Sequence, residues 1–136
     1  MGVNYGWEKF YVAVRYAVAS NEPLQQRLAM CVMQIGHLGR ESFPDDSTWE
    51  KFGGLREAST NRPARYKGEG IINATTAQMT DEEAGRYLRE ICGLFSDVAM
   101  AYGKSIIDRW HIRCAILHEL SVLKAETDSS ISTMKR

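Results

Sequence analysis

The sequence is poor in the residues on which much covalent and metal chemistry rests. Only three cysteines occur in 136 residues, Cys31, Cys92 and Cys114, far apart and with no C-x-x-C. An odd, scattered count does not make a disulfide framework or a zinc ribbon. Each falls in an apolar helical stretch, where a free thiol behaves as a small hydrophobe, and this points to a reducing compartment. Charge of one sign is lacking as well: 17 Lys and Arg face 17 Asp and Glu. No net field draws in nucleic acid or an anionic membrane. No apolar run approaches the roughly 18 residues of a membrane span, so no membrane partner is expected. "MGVNYGWEKF" lacks the basic and apolar regions of a signal peptide, and Gly6 stands where a myristoylation motif wants Ser or Thr. The expected location is cytoplasmic.

Enough apolar material is present for a core. Hydrophobic residues make up 44% and charged residues 25% of the chain, as in ordinary globular domains. Trp7, Phe10, Tyr11, Val14, Ala17 and Val18 repeat at helical spacing, with Asn4 available as a cap. "SNEP" closes this helix and Pro23 suits the first turn of the next. A second helix is expected from about Pro23 to Leu38, with Gly39 as a left-handed C-terminal residue. Ser47 and Glu50 have capping-box spacing before Trp49, Phe52 and Leu55. Gly53 and Gly54 weaken that helix by about 1 kcal/mol each relative to Ala. "STNRPARYKGEG" is irregular, and residues 71–79 are readable as strand or helix. Thr80 and Glu83 form a second capping box ahead of Ala84, Tyr87, Leu88, Ile91, Phe95 and Val98. A last helix is expected from about Ser105 to Ala125, divided from its predecessor near Gly103. Residues 126–136 read as a polar, flexible tail. The expectation is an all-α, single-domain bundle of about five helices over 1–125. Its core would hold Trp7, Phe10, Val14, Leu28, Ile35, Leu88, Ile91, Phe95, Trp110 and Leu117.

"WEKFYVAVRYAVASNEPLQQRLA", then "FP", then "INATTAQMTDEEAGRYLREICGLFSDVA" together resemble a group of small bacterial proteins of unassigned function. The likeness covers about residues 7–99. It implies a bacterial or phage source and an all-helical domain, and it brings no catalytic residues.

Chemistry must then come from the residues. Arg113 and His118 make an R-x4-H pair that resembles the motif of the HEPN ribonucleases, which are helical dimers. In such a pair the two side chains would position and activate RNA for attack by its own 2′-hydroxyl. On a regular helix, however, they diverge by about 140°, so they could cooperate only across a dimer or a local distortion. His111 and His118 stand two turns apart, about 10 Å, too far for one zinc ion, so no metal and no cofactor is called for. "KFGGLRE" has neither the strand nor the Gly-Lys-Ser/Thr ending of a phosphate loop. Arg62, Arg65, Tyr66 and Lys67 alternate cations with a stacking ring, as a single-stranded nucleic-acid contact would.

The helix "RWHIRCAILHEL" carries Ile107, Trp110, Cys114 and Leu117 on one side. Ile112, Ile116 and Leu123 lie on roughly the opposite one. A surface helix needs one apolar stripe, so this one is either central to the bundle or covered by a second copy. The reading preferred is a non-catalytic helical protein–protein interaction module, of adaptor or inhibitor type. It would self-associate as a homodimer through Ile112, Ile116 and Leu123. The alternatives are a HEPN-like ribonuclease using Arg113 and His118, and nucleic-acid binding through the 62–67 loop, which the zero net charge does not favour.

Overall fold

A computed structural model describes the backbone of residues 2–134 and the side chains of residues 2–131. Five α-helices and one 3-10 turn account for the regular structure, and no strand occurs among the described residues. The architecture is all-α. The chain divides into two compact units, Met1–Tyr102 and Gly103–Arg136.

Helix α1 spans Val3–Ala19 and starts one residue before the expected cap: Gly2, with no side-chain cap, precedes it and Asn4 lies inside it. It ends at Ser20, whose hydroxyl takes the Glu22 amide at 3.1 Å and turns the chain toward Pro23. Helix α2, Leu24–Ile35, begins where proline's fixed φ favours a first turn. It stops a turn early. Gly36, still right-handed at φ −61°, ends it, and Leu38 is buried just beyond. Gly39 is extended and precedes the 3-10 turn Arg40–Ser42 instead of closing α2.

Helix α3 spans Asp46–Ala58, and its cap is Asp45, not Ser47. The Asp45 carboxylate accepts from the Thr48 amide at 2.8 Å and from the Thr48 hydroxyl at 2.7 Å. It thereby satisfies an amide that the helix leaves unpaired. Residues 71–77 resolve as a short helix, α4, Ile71–Ala77. Helix α5 then runs from Asp81 to Met134. The Thr80 hydroxyl accepts from the Glu83 amide at 3.1 Å, as the capping spacing requires. Gly103 does not divide it, because a glycine lowers helix propensity by only about 1 kcal/mol and removes no hydrogen bond. The helix continues past Ala125 through the first nine residues of the expected tail; Lys135 and Arg136 lie outside the described residues.

The core belongs to the first unit. Phe10, Leu28, Ile35 and Ile91 are buried, and Trp7, Val14, Leu88 and Phe95 pack around them partly buried. Phe10, Phe43, Trp49 and Phe52 form an aromatic cluster, with Phe43 and Phe52 centroids 4.7 Å apart. Phe43 comes from the polar stretch "RESFPDD" and is buried against Phe10, Trp49 and Phe52. Trp7 stacks between Tyr11 at 5.3 Å and Tyr102 at 5.0 Å, joining α1 to α5 within this unit. Trp110 and Leu117, expected in the core, are 62% and 59% exposed. Their helical spacing marks an apolar face, and that face is exposed.

Candidate interaction surface

Every residue from Lys104 to Ile131 is exposed. The last helical segment is therefore not a buried central helix. Ile112, Ile116 and Leu123 are each more than half exposed. At about 100° per residue, Ile112, Ile116, Leu120 and Ile106 follow one another around the helix in steps of about 40°. Leu117 and Trp110 continue the same sweep. The two faces expected from the sequence are thus one broad stripe, since Leu120 and Ile106 fill the gap between them. Ile106, Arg109, Trp110 and Arg113 also bound a shallow surface depression, a cationic-aromatic strip along the helix.

Arg113 and His118 lie on this segment, both exposed. The helix is regular there, so the side chains diverge by about 140° and do not meet within one chain. His37, the third histidine, is engaged elsewhere: its Nε2 pairs with the Tyr5 hydroxyl at 2.8 Å. Among the described residues no three His, Cys, Asp or Glu side chains converge as metal ligands.

The 62–67 loop is built differently from a free basic arm. The Arg65 guanidinium grips the Glu69 carboxylate, Nη2 to Oε2 at 2.6 Å and Nε to Oε2 at 3.1 Å. The Arg65 amide donates to Glu69 Oε1 at 2.9 Å. Those donors hold the Glu69 carboxyl below the usual glutamate range, and Glu69 is only 5% exposed. Gly68 and Gly70, at φ +91° and +78°, are the two described residues in the left-handed region. They bracket Glu69 and let the chain double back so that its carboxylate reaches Arg65. Arg62 donates its amide to the Thr75 hydroxyl at 3.0 Å and its guanidinium to Gln78 Oε1 at 3.3 Å. Two of the three cations are thus occupied within the chain, Arg62 on α4 and its C-cap and Arg65 on Glu69 just ahead of α4. Tyr66, 65% exposed, and Lys67 face outward.

One feature of the first unit escaped sequence reasoning. A cleft of about 600 Å³ separates α3 from the first part of α5, with Leu55 and Leu94 among its apolar walls and Lys51, Glu90 and Asp97 among its charged ones. Gly54 and Gly93 line it, and a Cβ at either would meet nothing within 4 Å. The visible sequence signal was these glycines inside helical stretches. Nearby, Cys31 and Cys92 line a second depression between α1, α2 and α5. Burial first, and Cys92 second, push the Cys31 thiol up to about 12, while its Sγ donates to the Ala13 carbonyl at 3.3 Å. Such a thiol stays protonated and is a poor nucleophile.

No helix among the described residues is long and apolar enough to cross a membrane. No family model matches the chain, and neither a curated protein nor a solved structure matches it. The functional reading therefore rests on the geometry alone.

Proposed function

We propose that the protein is a non-catalytic helical interaction module, of adaptor or inhibitor type, that self-associates through the helix carrying Ile112, Ile116 and Leu123. The observation that carries this reading is the exposed apolar stripe of residues 106–123. Most helical stability in proteins comes from packing an amphipathic face, not from propensity. Contiguous exposed apolar surface on a soluble chain marks an interaction site, and burial returns about 25 cal/mol per Å² of apolar area removed from water. The first unit, Met1–Tyr102, has its own core, so the stripe is not needed to hold that unit together. A cytoplasmic setting belongs to the same proposal and is supported by three free cysteines, one buried and two exposed.

The test is the mass of the protein in solution by light scattering at micromolar concentration. A dimer that becomes a monomer in Ile116→Glu, with the first unit melting unchanged, is the expected result, because a charge is not buried unpaired at a packed face. A wild type that stays monomeric to tens of micromolar overturns the reading.

A further inference from the structure

The depression between α1, α2 and α5 differs from the α3–α5 cleft in its charges. The cleft carries both signs, Lys51 against Glu90 and Asp97. The depression holds about 270 Å³, and its charged residues are Arg27 and Arg89, with no carboxylate lining it among the described residues. Its apolar lining comes from Val14, Ala17 and Val18 on α1 and from Leu88 and Ile91 on α5. Neither arginine is neutralised within the chain: the salt bridges among the described residues are Arg40–Asp46 and Arg65–Glu69. Arg27 donates its Nε–H to the Glu22 carbonyl at 2.6 Å, which fixes the guanidinium and leaves its Nη groups unused. Arg89 makes no hydrogen bond among the described residues.

The helix directions put both cations at one end. The Gln25 amide donates to the Asp81 carboxylate at 2.8 Å, so α2 and α5 start side by side. A Cβ on Gly85 would lie 3.9 Å from Leu24 Cδ1, and further along Cys31 and Cys92 line the depression together. The two helices therefore run parallel, and Arg27, between Leu24 and Cys31, lies level with Leu88 and Arg89. Arg89 Nη1 comes within 3.4 Å of that Gly85 Cβ position, so its guanidinium folds back toward the same end. Helix α1 returns the other way across a short turn. The Ala13 carbonyl accepts from Cys31 Sγ at 3.3 Å, which places Val14 at the cysteine end and Val18, one turn on, at the arginine end. The depression is thus polarised, with two guanidiniums at one end and Val14, Cys31, Ile91 and Cys92 toward the other.

We propose that this depression binds a medium-chain carboxylate, its head between Arg27 and Arg89 and its chain laid toward the two cysteines. A guanidinium meets a carboxylate with parallel N–H···O bonds, and the apolar lining removes the chain from water. At about 30 Å³ per water, the volume equals about nine waters, which suits a ligand of roughly ten non-hydrogen atoms. A cationic amphiphile would bring like charge to the arginines, and a neutral one would leave them unpaired. The site lies wholly within Met1–Tyr102 and is independent of the self-association proposed above.

The test uses octanoate, kept below its micelle concentration, titrated into the full-length protein by calorimetry, with octylammonium as the reversed-charge control. One site per chain with a Kd of about 0.1–1 mM is expected for a ligand of this size, and octylammonium should bind at least about tenfold more weakly. Arg27→Gln combined with Arg89→Gln should weaken octanoate about tenfold, and Arg89→Gln alone about threefold. Arg89 is exposed, so the single variant keeps the fold even if the double one does not. Cys92 reports the location: in a Cys114→Ser background it is the one exposed thiol left, and octanoate should slow its alkylation by iodoacetamide. Absence of binding up to about 10 mM octanoate overturns the proposal. Equal binding of octylammonium, an Arg89→Gln protein that binds as wild type does, or an unprotected Cys92 each overturns it as well.

Discussion

Replacing Gly6 by Ala tests how closely α1 approaches the 3-10 turn, and the sign of its effect depends on distances. In a helix interior Ala is favoured over Gly by about 1 kcal/mol. At Gly6 a Cβ would sit 2.6 Å from the Ser42 carbonyl oxygen and 2.9 Å from the Ser42 Cβ. Both are far inside van der Waals contact, and the closer one is backbone, which cannot rotate away as a side chain can. Overpacking of this kind costs about 1–3 kcal/mol, so the clash outweighs the propensity gain, which is itself reduced in a first turn. The net expectation is a loss of about 1–2 kcal/mol. Gly53 is the internal control: it is helical too, but a Cβ there meets nothing within 4 Å, so Gly53→Ala should gain about 0.5–1 kcal/mol. For a domain of this size each kcal/mol moves the melting temperature by roughly 4–8 °C. Thermal melts followed by circular dichroism, with urea titrations for ΔG, read both variants. A Gly6→Ala protein that melts at or above the wild type would refute the close approach.

Other consequences are testable in the same way. The Ser42 hydroxyl is buried with no hydrogen-bond partner among the described residues, so Ser42→Ala should leave stability unchanged or raise it by up to about 1 kcal/mol; a clear loss in the urea midpoint would mean the hydroxyl is satisfied. Arg65→Ser strips the buried Glu69 carboxylate of its guanidinium and should lower the melting temperature, whereas Lys67→Ser should not; equal effects would show that the loop is not fastened through Arg65. The Thr48 hydroxyl and amide hold the Asp45 carboxyl below its ordinary value of 3.8. Asp45 therefore contributes stability that is full above that value and disappears as pH falls through the lowered one. Melts across pH 2–7 should show Asp45→Ala less stable than wild type at neutral pH, converging with it in acid, while Ser47→Ala follows wild type throughout.

Much of the first unit was legible from periodicity. Phe10, Leu28, Ile35 and Ile91 are buried where their helical spacing put them, because an amphipathic helix advertises one face locally. Thr80 caps α5 as its spacing with Glu83 suggested. Less legible were choices in which neighbouring residues compete. Asp45 takes the cap from Ser47, two residues on, since a carboxylate there reaches both the amide and the hydroxyl of Thr48. Residues 71–77 lack a long apolar period, so strand and helix stayed equal until packing against α2 chose. The orientation of Arg65 could not be read either, because its partner is reached only through two left-handed glycines.

By itself the sequence determined that this chain is helical and which stripe of each helix is apolar: both follow from side-chain type and a 3.6-residue repeat, which are local. Which stripes find cover is not local. Phe43, in a polar loop, is buried because rings from two other elements, Phe10 of α1 and Phe52 of α3, close around it. Trp110 and Leu117, on an apolar helix face, are 62% and 59% exposed. Periodicity states what a helix can bury; only the three-dimensional arrangement of the other elements decides whether anything is there to bury it.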